Sequence, residues 1–221
     1  MSVRVNILYM PGTNCQRETE HAFRRAGADP RIVLLSDLLA EVSRLQDADL
    51  VCLPGGFSFG DHSGAGNVAA WHLRTRLHEQ LQALRSIPTM CICNGFQIAA
   101  RAGLFGEVSL AINEAGTFLD EPMQAHHVVS DNPSFWLEGL RGETIRFPCA
   151  HGEGRFVFDS RDGWAPALLY PEGQNPDGSS ENIAGITSAD GVVFGLMDHP
   201  ERAYASEQAL ELFANGVRAV R

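Results

Sequence analysis

Apolar runs rich in valine, isoleucine and leucine recur at residues 3–9, 31–35, 49–53 and 88–93, and the segments between them carry apolar residues at helical spacing. Strands that are apolar on both faces belong in a parallel sheet covered by helices. The pattern therefore predicts an α/β fold, an open, mostly parallel sheet flanked by helices, in a single domain over residues 1–221. A first helix opens after Thr13 or Asn14 and closes at Gly27, a glycine suited to a left-handed cap. A second is predicted at about 37–45, and a further helical stretch at 68–84. Between strand and helix lies the glycine-rich segment 54–61, a loop at the C-terminal end of a strand, where ligand sites of α/β proteins lie. Past Gly106 the alternation weakens. Residues 144–148, 155–158, 183–187 and 192–197 read as strands, and 206–215 as a final helix.

Composition narrows the chemistry. All 17 basic residues are arginine, so any mechanism through a lysine Schiff base, a lysine general base or a phosphate-binding P-loop lysine is excluded. With 27 acidic residues the formal net charge is −10, which opposes attraction to nucleic-acid phosphates. No apolar run approaches the ~20 residues of a membrane span, and the N-terminus enters a strand pattern directly from Met1, without a charged leader and apolar core. These features place the chain in the cytoplasm, with neither nucleic acid nor membrane as partner. The five cysteines are odd in number and form no Cys-x-x-Cys pair, so no disulfide framework and no metal site is expected.

Cys93 ends an apolar strand run and is followed at once by the helix-like segment beginning at Asn94. A side chain on such a strand-to-helix turn is thrust outward, and the N–H groups and dipole of the helix N-terminus support negative charge there. Gly95 allows the turn to be tight. Cys15, Cys52, Cys91 and Cys149 read instead as inert core cysteines. Among eight histidines, His199 follows the apolar run 192–197 and has Glu201 two residues on, the spacing of an imidazole and its orienting carboxylate in a Cys-His-Glu triad. A turn histidine beside a surface glutamate is the plainer alternative. His151, in Ala150-His151-Gly152-Glu153-Gly154-Arg155, stands among small residues that permit close backbone approach to a partner or loop, with a structural histidine as the alternative. His21, His72 and His78 fall on helical segments and read as packing or surface residues. His126 and His127 have no recognisable metal-ligand spacing around them.

The ordered set Pro54-Gly55-Gly56, Cys91-Ile92-Cys93-Asn94-Gly95-Phe96-Gln97 and His199-Pro200-Glu201 resembles the class I glutamine amidotransferases. Adding Phe57-Ser58-Phe59-Gly60-Asp61, Ala150 to Arg155, Asn175-Pro176-Asp177-Gly178-Ser179 and His199-Pro200-Glu201-Arg202-Ala203, the chain is similar over nearly its whole length to the glutaminase subunits of phosphoribosylformylglycinamidine synthase. The loop Pro11-Gly12-Thr13-Asn14-Cys15 matches as well.

The resemblance implies a flavodoxin-like architecture in which Cys93 is the nucleophile, His199 the general acid and base, and Glu201 its orienting partner. The N–H groups of Gly56 and Asn94 would form the oxyanion hole, and Gln97 would shape the pocket for glutamine. His151, Glu153 and Arg155 would be loop or partner contacts. It further implies that ammonia passes to a large synthetase subunit that carries ATP and magnesium, with a small bridging subunit in some assemblies and no cofactor in this chain. A glutaminase serving another acceptor and a noncatalytic assembly subunit are the competing readings. The chain departs from the family pattern at Cys91, where glycine is usual, and at Asp198, where an apolar residue or proline is common. It also departs at His62-Ser63-Gly64-Ala65-Gly66, and at 119–122, which lacks an arginine usual after Phe118. The last two segments are expected to face the partner.

Overall fold

Alternate positions that are all apolar commit β1 (Arg4–Tyr9), β3 (Leu50–Leu53) and β4 (Thr89–Ile92) to the sheet interior, and these strands are buried nearly throughout. In this computed structural model, which describes residues 2–202 and 205–221, the elements before the midpoint follow the predicted alternation. They are β1, α1 (Gln16–Arg25), β2 (Asp29–Leu34), α2 (Leu35–Leu39), β3, α3 (Asn67–Thr75), α4 (His78–Leu84), β4 and α5 (Asn94–Arg101). The second half adds β5 (Val108–Ala111), β6 (Leu119–Val128), β7 (Thr144–His151), β8 (Arg155–Phe158), β9 (Trp164–Leu169), β10 (Ile183–Ser188), β11 (Val193–Leu196) and α6 (Glu207–Ala219). Met1, and Ala203 of the His-Pro-Glu motif, lie outside the described residues.

Nine strands form one sheet in the order β2-β1-β3-β4-β11-β10-β9-β6-β7, while β5 and β8 pair separately. The four pairings from β2 to β11 are parallel and the four from β11 to β7 antiparallel, so only β10 and β6 run against the other seven strands. The expected mostly parallel sheet is present, with an antiparallel extension on one side. From β1 the chain steps first to β2 and later to β3 on the opposite side. Right-handed crossovers then place the following helices on opposite faces and open a crevice at the C-terminal strand ends. Phe23 of α1 meets Phe213 of α6 edge-on at 5.0 Å, and Phe96 of α5 meets Phe105 likewise at 5.4 Å.

The differences from the sequence expectation have local causes. The second helix is short because Glu41 turns into a left-handed conformation and the amides of Val42 and Ser43 return to the Asp37 carbonyl. The stretch 68–84 is two helices, broken at 76–77, where Leu77 leaves helical geometry. Strand β6 was missed because it carries Asp120, Glu121 and Pro122. It tolerates the proline through a register shift between Glu121 and Gln124. Strand β9 contains Pro166, but β6 pairs with it only at Leu168 and Leu169, so no ladder bond is lost on that side. Strand β5, which also went unread, pairs only with β8 outside the main sheet.

The core fixes one glycine sharply. A Cβ on Gly216 of α6 would lie 2.2 Å from Cζ3 of the fully buried Trp136. Helix propensity alone would make Gly216→Ala stabilising by about 1 kcal/mol. Overpacking reverses the sign, and the variant is expected to lose about 1–3 kcal/mol, read as a lower urea midpoint at unchanged m-value.

Candidate active site

Cys93 sits between β4 and α5 with φ 50° and ψ −110°, a conformation that L residues rarely adopt. Three contacts hold it there. Its N–H donates to Leu196 O at the end of β11 (2.9 Å), its carbonyl accepts from the amides of Phe96 and Gln97, and α5 presses against β3. The approach is so close that a Cβ on Gly95 would fall 1.9 Å from Leu53 O. The predicted elbow is therefore present, and glycine at 95 is a steric requirement.

The His199 N–H donates to Pro148 O (2.7 Å), which anchors the segment beyond β11 against β7. Its Nδ1 lies 2.7 Å from Glu201 Oε1, and Nε2 is buried without a hydrogen-bond partner among the described residues. Burial opposes charge on this ring. The carboxylate of Glu201 outweighs it, aided by Cys93 and Cys15, and holds the imidazole's pKa well above the ordinary histidine value. With Cys93, His199 and Glu201 only 6%, 1% and 3% exposed, these charges act in a poorly solvated space. The Cys93 thiol also points at Ala150 O, 3.8 Å away.

Two loops that follow β1 and β3 form the opposite wall. Cys15 N–H donates to Gly55 O, Phe57 N–H to Gly12 O and Phe59 N–H to Pro11 O. This zipper leaves no room for side chains. A Cβ on Gly12 would lie 2.1 Å from Phe57 O, and one on Gly56 2.7 Å from Asn14 N. Neither Gly56 N–H nor Asn94 N–H is taken up by hydrogen bonds among the described residues, as an oxyanion hole requires.

Asn94 and Gln97 are both buried. The Asn94 side chain accepts from Ser58 N–H and donates to Gln97 Oε1, and Gln97 Nε2 donates to Glu153 O. Gln97 thus faces a small cavity shared with Cys93, Gly56 and Phe118. Glu153 is tied down within the chain, accepting from Ala65 N–H and pairing with Arg101. Arg155 opens β8 and is half-buried. His151 corrects the expectation of a loop or partner contact: it is an interior side chain, held between Asn113, Cys149 and Asp198, because β7 runs three residues further than predicted.

Sequence reasoning missed several residues of the cleft beside Cys93 and His199, which has a volume of about 190 Å³. Asp120 and Arg202 line it, placing both signs of charge in the same cleft as Cys93. Arg202 directly follows Glu201, and its position was the available signal; Asp120 had none. Cys15, read as an inert core residue, is buried but lines the same cleft, its Sγ 4.0 Å from His199 Nδ1.

A Cys-His-Glu constellation at a strand-to-helix elbow on this sheet defines a glutamine amidotransferase. In agreement, residues 2–167 and 162–214 match the family described as the CobB/CobQ-like glutamine amidotransferase domain. The chain belongs to the PurQ family of phosphoribosylformylglycinamidine synthase subunits. It is 36% identical to the PurQ subunit of Pyrococcus furiosus, with 99% of each chain covered. To that of Thermotoga maritima it is 39% identical over 92% of this chain and 89% of the relative. The solved structure described as PurLQS from Thermotoga maritima superposes with a TM-score of 0.81 at 35% identity, covering 100% of this chain and 97% of that one. A glutamine amidotransferase from the same organism, with TM-score 0.56 and 19% identity, shares the fold. Among the described residues, no helix is long and apolar enough to cross a membrane.

Burial pushes the thiols of Cys52 and Cys91 well above the ordinary cysteine value. Brief iodoacetamide treatment of the native protein at neutral pH is expected to alkylate Cys93 and leave Cys52 and Cys91 unmodified, as read by peptide mass spectrometry.

Proposed function

We propose that this chain hydrolyses the side-chain amide of glutamine and delivers the ammonia to a large synthetase subunit that makes phosphoribosylformylglycinamidine. The observation that carries the catalytic half is the His199 ring, fixed by Glu201 on one nitrogen and buried with the other nitrogen unpaired beside Cys93. In this reading the Cys93 thiolate attacks the amide carbon, and the C=O electron pair moves onto oxygen. The Gly56 and Asn94 N–H groups receive that oxyanion. His199 then protonates the nitrogen, the C–N bond breaks and ammonia leaves, giving a thioester. Water, deprotonated by His199, cleaves the thioester to glutamate and regenerates Cys93. Asp120 and Arg202 supply the two charges that would pair with the α-ammonium and α-carboxylate of an amino acid substrate.

Delivery to a partner is supported by the family and by the cleft's rim. Phe57 and Phe118, 46% and 52% exposed, lie with ring centroids 6.3 Å apart beside the cleft, an apolar pair suited to being covered by another chain. The partner would hold ATP and magnesium, and a small bridging subunit would complete the assembly. A relative of known structure carries the description PurLQS.

Glutamate release should be measured for the wild type and Cys93→Ala, with and without synthetase, ATP and formylglycinamide ribonucleotide. Cys93→Ala is expected to lower kcat at least about 10³-fold, and Glu201→Gln roughly 10²-fold or more with KM little changed. Wild-type release should rise when partner and acceptor are present. Cys93-dependent release that ignores the partner would mean another acceptor, and no release under any condition would favour an assembly subunit.

A further inference from the structure

A second cluster of reactive side chains lies behind the first, on the other side of Ala150, and the proposed glutamine chemistry does not use it. Cys149 and His151 project from β7, Asp198 precedes His199, and Asp177 comes from the turn 175–179. His151 Nε2 lies 3.3 Å from Cys149 Sγ, 3.3 Å from Asp198 Oδ1 and 3.9 Å from Asp177 Oδ2. The donor atoms of Cys149, His151 and Asp198 are all within 4.8 Å of one another, and all four residues are buried. Donors placed 2.0–2.3 Å from a tetrahedral ion stand about 3.3–3.8 Å apart; the separations of His151 Nε2 from Cys149 and Asp198 fall in that range, and Asp177 stands just outside it as a fourth donor.

The hydrogen bonds around the cluster determine which atoms remain available. Asn113 Oδ1 accepts from Gly154 N–H (2.9 Å), and Asn113 Nδ2 donates to the carbonyls of Thr117 and His151, so the amide's orientation is fixed. An acceptor therefore faces His151 Nδ1 at 3.3 Å, a contact suited to the tautomer that leaves Nε2 free to ligate. The lone pair of Nε2 is left pointing at a thiol and two carboxylates. This is how metal-ligating histidines are commonly held, with the outer nitrogen donating to a carbonyl. Asp198 is oriented similarly. Its Oδ2 accepts from His126 Nε2, 2.5 Å away, while Oδ1 is buried without a hydrogen-bond partner among the described residues. The Tyr170 hydroxyl donates to Asp177 Oδ2 and Asp198 Oδ2, so Asp198 Oδ1 is the oxygen left for a cation beside His151 Nε2, a proton or a metal ion, to satisfy.

The geometry points to a structural binding site for a divalent transition-metal ion, zinc by its mixture of sulfur, nitrogen and oxygen donors, formed by Cys149, His151, Asp177 and Asp198. This goes beyond the glutaminase reading and runs against the expectation of no metal site. The ion ties the His199 segment to β7 and to the turn 175–179 without entering the catalytic cleft. Cys149 and Asp198 share the site although only Asp198 stood out in the sequence as a departure.

The test is metal content and spectroscopy on the full chain. Protein stripped with a chelator is titrated with Co²⁺ and, separately, Zn²⁺, following the thiolate-to-cobalt charge-transfer band and displacement of Co²⁺ by Zn²⁺. The wild type is expected to bind one ion per chain with that band. Cys149→Ser is expected to lose the band and at least tenfold in affinity, whereas Cys15→Ser and Cys93→Ala keep both. Absence of binding by the wild type overturns the proposal. So does binding that survives Cys149→Ser but is lost in Cys15→Ser, because the ion would then sit on the neighbouring group of Cys15, His199 and Glu201.

Discussion

The contact between α5 and β3 at Gly95 and Leu53 is the constraint on which the site depends. By bringing the helix backbone against a strand carbonyl, it forces the preceding residue into a strained left-handed conformation and projects Cys93 out of the sheet. The same helix start leaves the Asn94 N–H free beside the sulfur. The projected Cys93 and the unbonded Asn94 N–H thus arise from one steric fact, and the strain is sustained by hydrogen bonds from Cys93 to β11 and within α5.

The other half of the site is assembled by backbone zippering rather than by side-chain packing. The loops after β1 and β3 approach so closely that Gly12 and Gly56 have no space for a Cβ, and the Gly56 N–H is left without a hydrogen bond among the described residues. Gly55 serves a related need: a Cβ there would press on His199 Cε1 at 2.8 Å. His199, Cys93 and the loop carrying Gly56 are therefore mutually positioned by glycines, which hold distances without adding rotatable groups.

What was legible in the sequence follows from how locally each feature is encoded. The strand-to-helix elbow at Cys93, the His199 and Glu201 spacing and the parallel half of the sheet depend on residues close in the chain, and all are present. Features that depend on tertiary partners were not readable. Strand β6 hides behind Pro122 because only its pairing with β7 reveals that the proline occupies a bulge. His151, among glycines, read as a loop or partner contact or as a structural histidine, and the extension of β7 takes it into the interior as the latter. Cys15 looked inert because its neighbour His199 lies 184 residues away. Asp120 and Arg202 were invisible as a pair for the same reason: their opposition exists only once β6 and the segment after β11 converge on the cleft.

The position of β11 has a consequence for how the protein comes into being. It inserts between β4 and β10, so the edge of β4 next to the nucleophile stays open until about a hundred more residues, from Ile92 to Val193, have left the ribosome. An unpaired strand whose residues are all destined for the interior is a template for wrong partners. The nascent chain consequently passes through a long interval of exposure, and the strand that ends it is the one that delivers His199. Closing the open edge of β4 and bringing His199 to Cys93 are therefore the same event.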